Sequence, residues 1–481
     1  MMETTELKVK IGLEVHCQLT NLKSKLFCSC SADYRQSPPN THVCPVCMGT
    51  PGSLPVLNRK AVEDAILIAL ALNMHISSKT IFYRKNYFYP DMPKNFQISQ
   101  YDRAGGIPIA KNGSQKLEGE KIVRISRLQI EEDPGKISYE GTIETSKSAF
   151  VDYNRAGIAL VEIVTEPDMS SPREARIFLQ KIRSIMEHLG VSSGELEGSM
   201  RCDANISIQG GTRVEVKNIS SFKEVERALN FEITRQRNLL RTGHRIGQET
   251  RHWDEARRVT ISLRVKEEEE DYRYFPEADL VPLSISEEEI ERKKASMPEL
   301  PEGHMNRLIT QYDISKQNAM TLTDNKALAE FFEEGATNYN HPDLLGNWIV
   351  GDLLSYLYEM DIELKDAKLK PGDLVRMLEL IDDGTISGKI GKELLKEMLI
   401  TGKSPDDIIN QKEMRRISDR EYLNKLTDEI FTSNPQAVKD AINDPKAVRY
   451  LVGQLMKKTG GKADPQLANS LVNKKLKTSK T

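Results

Sequence analysis

Three short segments place acidic or histidine side chains where the surrounding residues follow the pattern of a buried β-strand: residues 11–16, 128–133 and 160–164. In the first segment, Glu14 and His16 are two positions apart, so a strand would direct both to one face and its aliphatic residues to the other. In the third segment, Glu162 interrupts an apolar run, where an unpaired buried carboxylate would be costly. A divalent cation shared by the three segments would compensate these charges, so the pattern predicts a metal site.

Buried salt bridges are an alternative explanation of the three segments. Arg124, Arg127 and Arg155 are close to them in the sequence and could neutralise the carboxylates. Ion pairs that serve only the fold also perturb buried carboxylates, so any one segment taken alone is better explained in this way. The occurrence of all three segments in one chain favours the metal site.

Four of the six cysteines lie in two short turns: Cys28, Cys30, Cys44 and Cys47. Four thiolates complete the tetrahedral coordination of Zn²⁺ and leave no position for a substrate, which is typical of structural zinc. The second pair has the usual two intervening residues, whereas the first pair has one. The spacing predicts a zinc knuckle at residues 28–47, or its remnant, with unrelated buried thiols as the alternative.

A region of mixed helices and strands, extending to about residue 290, must position these groups. Ser171 and Ser221 each begin a capping box, with a glutamate three residues later and apolar residues at helical spacing beyond it. Between the two helices, a pair of glycines separates two strand-like runs. The predicted elements are helices from 172 to 189 and from 222 to about 243, and a hairpin of residues 201–208 and 212–217.

Proline-rich and charged stretches mark two further boundaries, and the pattern beyond each of them is helical. We therefore predict an α+β fold in which a mixed-sheet domain (1–290) precedes an all-α helical domain (291–403) and a small all-α tail domain (404–481). From Asp406 onward, the chain has fifteen Lys and Arg residues against ten Asp and Glu residues, although the net charge of the whole chain is −3. This local excess suits a nucleic-acid contact, and a solvated surface would explain it nearly as well.

Composition and missing motifs exclude several classes of protein. The longest apolar run, residues 65–72, is too short to span a membrane, and the acidic start is unlike a signal peptide, so we expect a cytoplasmic protein without a membrane contact. The Gly-x-x-x-x-Gly-Lys-Ser/Thr and Gly-x-Gly-x-x-Gly loops are absent, as are His-Glu-x-x-His and Gly-x-Ser-x-Gly. These absences disfavour the common nucleotide-binding folds and hydrolases.

Longer motifs resemble the B subunits of the glutamyl/aspartyl-tRNA amidotransferases over essentially the whole chain. They occur in the same order and are Gly12-Leu-Glu-Val-His16, Tyr89-Pro-Asp-Met-Pro-Lys94, Gln97-Ile-Ser-Gln100, Leu128 to Lys136, Asp152-Tyr-Asn-Arg155, Glu162-Ile-Val-Thr-Glu-Pro-Asp168, Glu197-Gly-Ser-Met-Arg-Cys-Asp-Ala-Asn205, Gln248-Glu-Thr-Arg251 with Trp253-Asp254, Asp271-Tyr-Arg-Tyr-Phe-Pro276 and, in the C-terminal part, Gly384-Thr-Ile-Ser387 and Leu451-Val-Gly-Gln454. Departures are modest: Met92 and Asn95-Phe96 stand where Leu and Gly-Tyr are usual.

The resemblance implies a cradle-shaped catalytic domain, a helical domain and a tail, the last two of which would bind misacylated tRNA. It also implies a reaction that uses ATP and Mg²⁺. ATP phosphorylates the side-chain carboxylate of Glu or Asp misacylated onto tRNA(Gln) or tRNA(Asn), and ammonia then displaces phosphate to form the amide. The resemblance further implies a heterotrimer, in which an amidase-type glutaminase A subunit supplies ammonia and a small C subunit joins the pair.

Carried over motif by motif, the resemblance assigns roles to individual residues. The catalytic group would comprise Glu14, His16, Glu131, Glu132 and Glu162. Four of these would hold Mg²⁺ or its bound water: Glu14, His16, Glu132 and Glu162. The candidates for binding the nucleotide phosphates and the substrate carboxylate are Lys94, Asn154, Arg155, Arg201 and Lys217. Histidine is an unusual member of a magnesium site, because Mg²⁺ prefers oxygen ligands.

Two other functions compete with this interpretation. One is a noncatalytic, zinc-bearing module that binds tRNA for the complex. The other is a metal-dependent hydrolase in which Glu14, His16 and Glu162 would activate a water molecule. Phosphate release coupled to amide formation distinguishes the amidotransferase from both.

Overall fold

The computed structural model divides the chain into two compact units, Met1–Gly303 and His304–Thr481. The residues described are 8–103, 105–117, 119–141, 146–193, 196, 198–209, 211–264, 272–412, 420–441, 445–459, 463 and 465–478. Glu197, Gly210 and Asp271, which belong to the predicted motifs and hairpin, lie outside these residues. Among the described helices, none combines the length and the apolar character that crossing a bilayer requires.

A nine-stranded mixed sheet forms the centre of the first unit. The strands of the chain are β1 (Val9–Gln18), β2 (His75–Ile76), β3 (Lys79–Thr80), β4 (Phe82–Asn86), β5 (Phe96–Gln100), β6 (Ala110–Lys116), β7 (Ile122–Glu132), β8 (Lys136–Tyr139), β9 (Ala149–Asp152), β10 (Ala159–Thr165), β11 (Met200–Ile208), β12 (Val214–Ile219), β13 (Glu249–Asp254), β14 (Val259–Arg264), β15 (Phe275–Pro276) and β16 (Leu283–Ser284). The order in the large sheet is β14-β13-β12-β11-β1-β10-β7-β6-β2. Its described neighbours are antiparallel except for β12 and β13.

Strand β1 has the alternation that the sequence predicts. Ile11, Leu13 and Val15 are buried in the hydrophobic core, whereas Glu14 and His16 point to the other face and are half-buried. Since β1 lies between β10 and β11 in the sheet, its two polar side chains are placed near the centre of that face.

Four of the described helices belong to the first unit: α1 (Arg59–Ala71), α2 (Pro172–His188), α3 (Phe222–Arg241) and α4 (Glu287–Ala295). The first three pack on the sheet, α1 against β6 and β7, α2 against β1, and α3 against β11, β12 and β14. Both predicted serine caps are confirmed, because the side chains of Ser171 and Ser221 accept hydrogen bonds from the backbone three residues later. The carboxylate of Glu174 accepts from the backbone of Ser170 rather than from Ser171.

Smaller sheets add to the first unit. Strands β15, β4 and β5 form a three-stranded sheet, while β16 pairs with β3 and β8 pairs with β9. Strand β5 packs against β7, so its polar side chains reach the end of β7 where the second acidic segment lies. The predicted hairpin is confirmed as the antiparallel pair β11 and β12.

Helices follow one another through the rest of the chain, which confirms the predicted order of a mixed-sheet region followed by helices. They are α5 (Pro301–Tyr312), α6 (Lys316–Thr323), α7 (Lys326–Ala336), α8 (Pro342–Trp348), α9 (Leu354–Met360), α10 (Pro371–Asp382), α11 (Gly388–Thr401), α12 (Pro405–Lys412), α13 (Arg420–Ser433), α14 (Pro435–Ala441), α15 (Pro445–Lys458) and α16 (Pro465–Thr478). A π-helical turn, Ile349–Leu353, joins α8 to α9. The buried apolar residues of this unit form two clusters, one between Leu308 and Ile409 and the other between Leu423 and Leu476.

Candidate active site

The register of three central strands brings His16, Glu131 and Glu162 together on the sheet face opposite the helices. His16 pairs directly with Glu162 of β10, and Leu160 of β10 pairs with Glu131 of β7. Directly paired residues share a face, as do residues two apart on one strand, so the three side chains point the same way. One ligand atom from each lies within 4.8 Å of the others. We call this set the His16 group; it takes one member from each acidic segment.

Electrostatics within the His16 group favour an ionised Glu162. His16 Nε2 and Glu162 Oε2 are 3.4 Å apart. Burial opposes ionisation of Glu162, but the hydrogen bond and charge of His16 outweigh it and lower the pKa of Glu162 to about 2. Burial likewise opposes protonation of His16, yet Glu162 raises the His16 pKa. Burial and the charge of Glu162 raise the pKa of Glu131, although Lys85 and His16 oppose this shift. A cation between the two carboxylates would further favour their ionised forms.

A second set of possible ligands adjoins the first, because Glu14 pairs with Asp203 across β1 and β11. Ligand atoms of Glu14, Asp203 and Glu215 lie within 4.8 Å of one another, and we call these three the Glu14 group. Lys217 Nζ is 3.0 Å from Asp203 and 3.5 Å from Glu215. Burial, followed by the charges of nearby carboxylates, raises the pKa of Glu14. Three carboxylates therefore lie around the ammonium group of Lys217.

Glu132, which the sequence analysis places among the magnesium ligands, is not brought into either group. It pairs with Ala159, whereas Glu131 pairs with Leu160, so alternation directs the two glutamates to opposite faces. Glu132 forms a buried ion pair with Lys94, whose Nζ is 2.6 Å and 2.5 Å from its two carboxylate oxygens, and it also accepts a hydrogen bond from the backbone of Ile98. Lys94, a predicted phosphate ligand, is therefore paired with both oxygens of Glu132.

Arg155 and Arg201, two other candidates for binding phosphate, meet at the buried carboxylate of Asp133. Arg201 donates to Asp133 Oδ1, and Arg155 Nε lies 3.9 Å from Asp133 Oδ2. Arg155 also donates to the backbone oxygens of the two residues that follow Asp133. The side-chain amide of Gln18 donates to Asp133 Oδ2. Because His16 pairs directly with Arg201, this cluster lies beside the His16 group.

Asn154, another predicted candidate for binding phosphate or the substrate carboxylate, forms hydrogen bonds with a loop of the first unit. It is completely buried, and its side chain accepts from the backbone of His42 at 2.7 Å and donates to the backbone oxygen of Pro38 at 2.8 Å. Both polar atoms of this amide thus hold the loop formed by residues 31–43.

The four clustered cysteines come together as the sequence predicts, with one sulfur of each within 4.8 Å of the others. Tetrahedral zinc with Zn–S bonds of about 2.3 Å needs sulfurs nearly 4 Å apart, so the four thiols could hold a metal ion. Lys25, with 0% of its surface exposed, places Nζ 3.8 Å from Cys47 Sγ and 2.7 Å from the backbone oxygen of His42. The hydrogen bond from Cys28 and, more weakly, the charge of Lys25 lower the pKa of the Cys47 thiol to about 5.

The salt-bridge alternative accounts for only part of the arrangement. Arg127 Nη2 lies 3.6 Å from Glu162 Oε1, so this arginine does neutralise part of the His16 group. Arg155 Nε lies 3.9 Å from Asp133 Oδ2, a carboxylate of the second acidic segment, whereas Arg124 pairs with Asp168 outside the three segments. Two of the three arginines expected from the sequence therefore lie at salt-bridge distance from carboxylates of the acidic segments, as the alternative predicts, and the third does not.

Sequence reasoning misses Asp203, Glu215, Gln18, Lys25 and Arg35. Alternation along residues 201–205 was available as a signal for Asp203, because it lies two positions from Arg201 on the same face. Gln18 is likewise two positions beyond His16. Glu215, Lys25 and Arg35 approach the site through long-range packing, for which the sequence has no local signal.

Comparisons with known proteins agree with these features. The family model described as "GatB/GatE catalytic domain" matches residues 9–291, and the one described as "GatB domain" matches residues 330–476. The chain is 53% identical to the B subunit of the aspartyl/glutamyl-tRNA(Asn/Gln) amidotransferase of Saccharolobus solfataricus, over 97% of this chain and 99% of that protein. Proteins of the same description from Thermotoga maritima and Carboxydothermus hydrogenoformans are 47% and 45% identical, covering 97% and 98% of this chain and 98% and 99% of theirs.

Proposed function

Because the chain belongs to the GatB/GatE family, as the B subunit of an aspartyl/glutamyl-tRNA(Asn/Gln) amidotransferase, we propose that its acidic sheet face is where ATP activates the tRNA-borne carboxylate. The observation that carries the proposal is the placement of the His16 and Glu14 groups side by side on one face. A side-chain carboxylate reacts poorly with ammonia, whereas its acyl phosphate has a good leaving group. Activation is therefore the step for which this face is suited.

The proposed reaction has two steps. An oxygen of the Glu or Asp side chain attacks the terminal phosphorus of ATP, and ADP leaves with the electrons of the broken P–O bond. Ammonia then attacks the carbonyl carbon of the acyl phosphate, loses a proton, and phosphate leaves to give Gln-tRNA(Gln) or Asn-tRNA(Asn). Magnesium, when bound, would neutralise and orient phosphate oxygens during the first step.

The carboxylates of the two groups fit such a cation, because oxygen ligands suit Mg²⁺. In this proposal Glu131 takes the place of Glu132 beside Glu162, and Glu14 anchors the second group. His16 remains a member through its hydrogen bond to Glu162, which keeps that carboxylate ionised. Arg201 and Arg155, held by Asp133, would meet the phosphates or the substrate carboxylate from one side, and Lys217 from the other.

The partners are proposed on the same basis. An amidase-type glutaminase A subunit would deliver ammonia, and a small C subunit would complete the heterotrimer. The misacylated tRNA would lie on the helical and tail domains, where the excess of basic residues after Asp406 supports a phosphate contact. The separate hydrophobic clusters support a division into sheet, helical and tail domains, and we place the first boundary at Gly303, since Met297 and Leu300 still pack on the first cluster.

A reconstituted complex tests the main function. With its partner subunits, misacylated tRNA, ATP, Mg²⁺ and glutamine, we expect one ADP and one phosphate released for each amide formed, measured by nucleotide analysis and by the amino acid recovered from tRNA. Correctly charged Gln-tRNA is the control and should release no phosphate. Amide formation without ATP consumption would contradict the proposal, and tRNA binding without either product would favour the noncatalytic module.

The cysteine cluster is proposed to hold structural Zn²⁺. A tetrathiolate zinc site has two excess negative charges, and the buried ammonium of Lys25 beside Cys47 would compensate part of this charge. Within the described residues, Lys25 has no carboxylate at salt-bridge distance, and its donors go to two backbone oxygens and this sulfur.

We expect Lys25→Met to weaken zinc binding by roughly 10- to 100-fold, because the charge of the thiolates would lose its nearest compensation. Competition with a chromophoric chelator measures the affinity, and Lys23→Met, at a nearby exposed position, is the matched control. A folded Lys25→Met protein with wild-type zinc affinity would show that the ammonium does not serve the metal site.

A further inference from the structure

The loop of residues 31–43 connects the two cysteine pairs and is fixed at both ends. Cys30 precedes it and Cys44 follows it, so a metal bound by the four thiols would clamp its two ends together. Between them, the buried amide of Asn154 holds the backbone at Pro38 and His42. The loop is therefore ordered by contacts with the first unit and not only by its own turns.

This loop carries Arg35 to the edge of the acidic sheet face. Arg35 Nη2 donates to Gln18 Oε1 at 2.6 Å, and its guanidinium lies 5.0 Å from the ring centre of Tyr34. Gln18 in turn binds Asp133, the carboxylate that Arg201 also contacts. Because Gln18 is two positions beyond His16 on β1, Arg35 lies at the same end of the face as the His16 group.

These contacts do not satisfy all the hydrogen-bond donors of the Arg35 guanidinium. Its Nε is buried without a hydrogen-bond partner, and among the described residues no carboxylate lies within salt-bridge distance of it. Leaving a buried donor without an acceptor is unfavourable, so this unpaired N–H points to an acceptor that arrives with a ligand. Asp133 already has Arg155 and Arg201 as cationic neighbours, so its charge is compensated without Arg35.

We propose that Arg35 binds phosphate oxygens of ATP at the acidic face, and that the cysteine cluster serves the reaction by holding the loop that places this guanidinium. The proposal rests on the proposed function, because it takes ATP to be the ligand of that face. An arginine suits this role since its planar fork of donors can bind two phosphate oxygens at once. The zinc would then take no part in the reaction itself, but it would be necessary for high affinity for ATP.

Nucleotide binding by the complete complex tests the role of Arg35. We expect Arg35→Met to raise the KM for ATP and the dissociation constant of ATP at least 10-fold, with a smaller effect on kcat, and to leave adenosine binding unchanged. The KM and the dissociation constant of the Arg35→Lys complex for ATP should lie between those of the wild type and of Arg35→Met. Arg59→Met is the control, since that side chain is 80% exposed and pairs along its own helix with Glu63. Equal losses for ATP and adenosine, or no loss for ATP, would overturn the assignment.

Removal of zinc tests the role of the cluster. The metal-depleted wild-type complex should bind ATP as weakly as the Arg35→Met complex does. Removing the metal from the Arg35→Met complex should weaken its ATP binding little further. Zinc content is measured in parallel. Additive losses would overturn the link between the loop and the metal. If the wild-type complex bound no ATP, the proposed function itself would be contradicted. If the wild-type complex and the variants bound ATP equally well, only the role of Arg35 and its loop would be contradicted.

Discussion

Glu162→Gln reduces the ATP-dependent amidation by about 10²- to 10³-fold, because it removes the ionised carboxylate at the centre of the His16 group. The amide has nearly the same shape, so the fold should persist while the site loses a negative ligand oxygen and the anionic partner of His16. The measurement is the rate of phosphate release from ATP in the reconstituted complex, at saturating misacylated tRNA. Higher Mg²⁺ concentrations should recover part of the rate if the loss is one of cation affinity.

The control for this variant is Glu120→Gln, which makes the same chemical change at a side chain that is 93% exposed and forms a surface ion pair with Lys116. We expect it to keep wild-type activity. If Glu162→Gln were equally active, the His16 group would not hold the reacting cation, even though the assignment to the family would stand.

Lys94→Met destabilises the protein by about 3–5 kcal/mol, because it leaves the Glu132 carboxylate buried without its cation. The side chains of Lys94 and Glu132 are 8% and 3% exposed, so water cannot replace the lost partner. The free energy of unfolding, from urea titration followed by circular dichroism, measures the effect.

The double variant Lys94→Met/Glu132→Leu separates the charge from the packing. Replacing both members of a buried pair by apolar groups is often nearly neutral, so we expect the double variant to be more stable than Lys94→Met alone. A double variant as unstable as the single one would mean that Lys94 acts through its packing against the loop at Gly49, not through the ion pair.

Local patterns in the sequence predict the secondary structure around the site well. The alternation of β1 places Glu14 and His16 on one face, and the serine caps at 171 and 221 mark the starts of α2 and α3. Each of these features depends on residues within a few positions of one another. The close spacing of the cysteines likewise predicts their cluster.

Register and long-range packing could not be predicted in the same way. The choice between Glu131 and Glu132 depends on the phase of β7 against β10, and two adjacent glutamates look alike until that pairing is known. Lys94 looks like a phosphate ligand because its partner is 38 positions away in the sequence. The positions and contacts of Asn154 and Arg35 depend on the path of the loop of residues 31–43, and no local pattern in the sequence determines that path.

The central position of β1 also affects how the site can fail. This strand contributes His16 to one group and Glu14 to the other, and it is paired along its length by β10 and β11. A slip of one residue would turn both side chains into the hydrophobic core and would dismantle both groups at once. We therefore expect that the acidic face does not unfold separately from the sheet. On heating, activity should be lost at the same temperature at which the whole sheet unfolds.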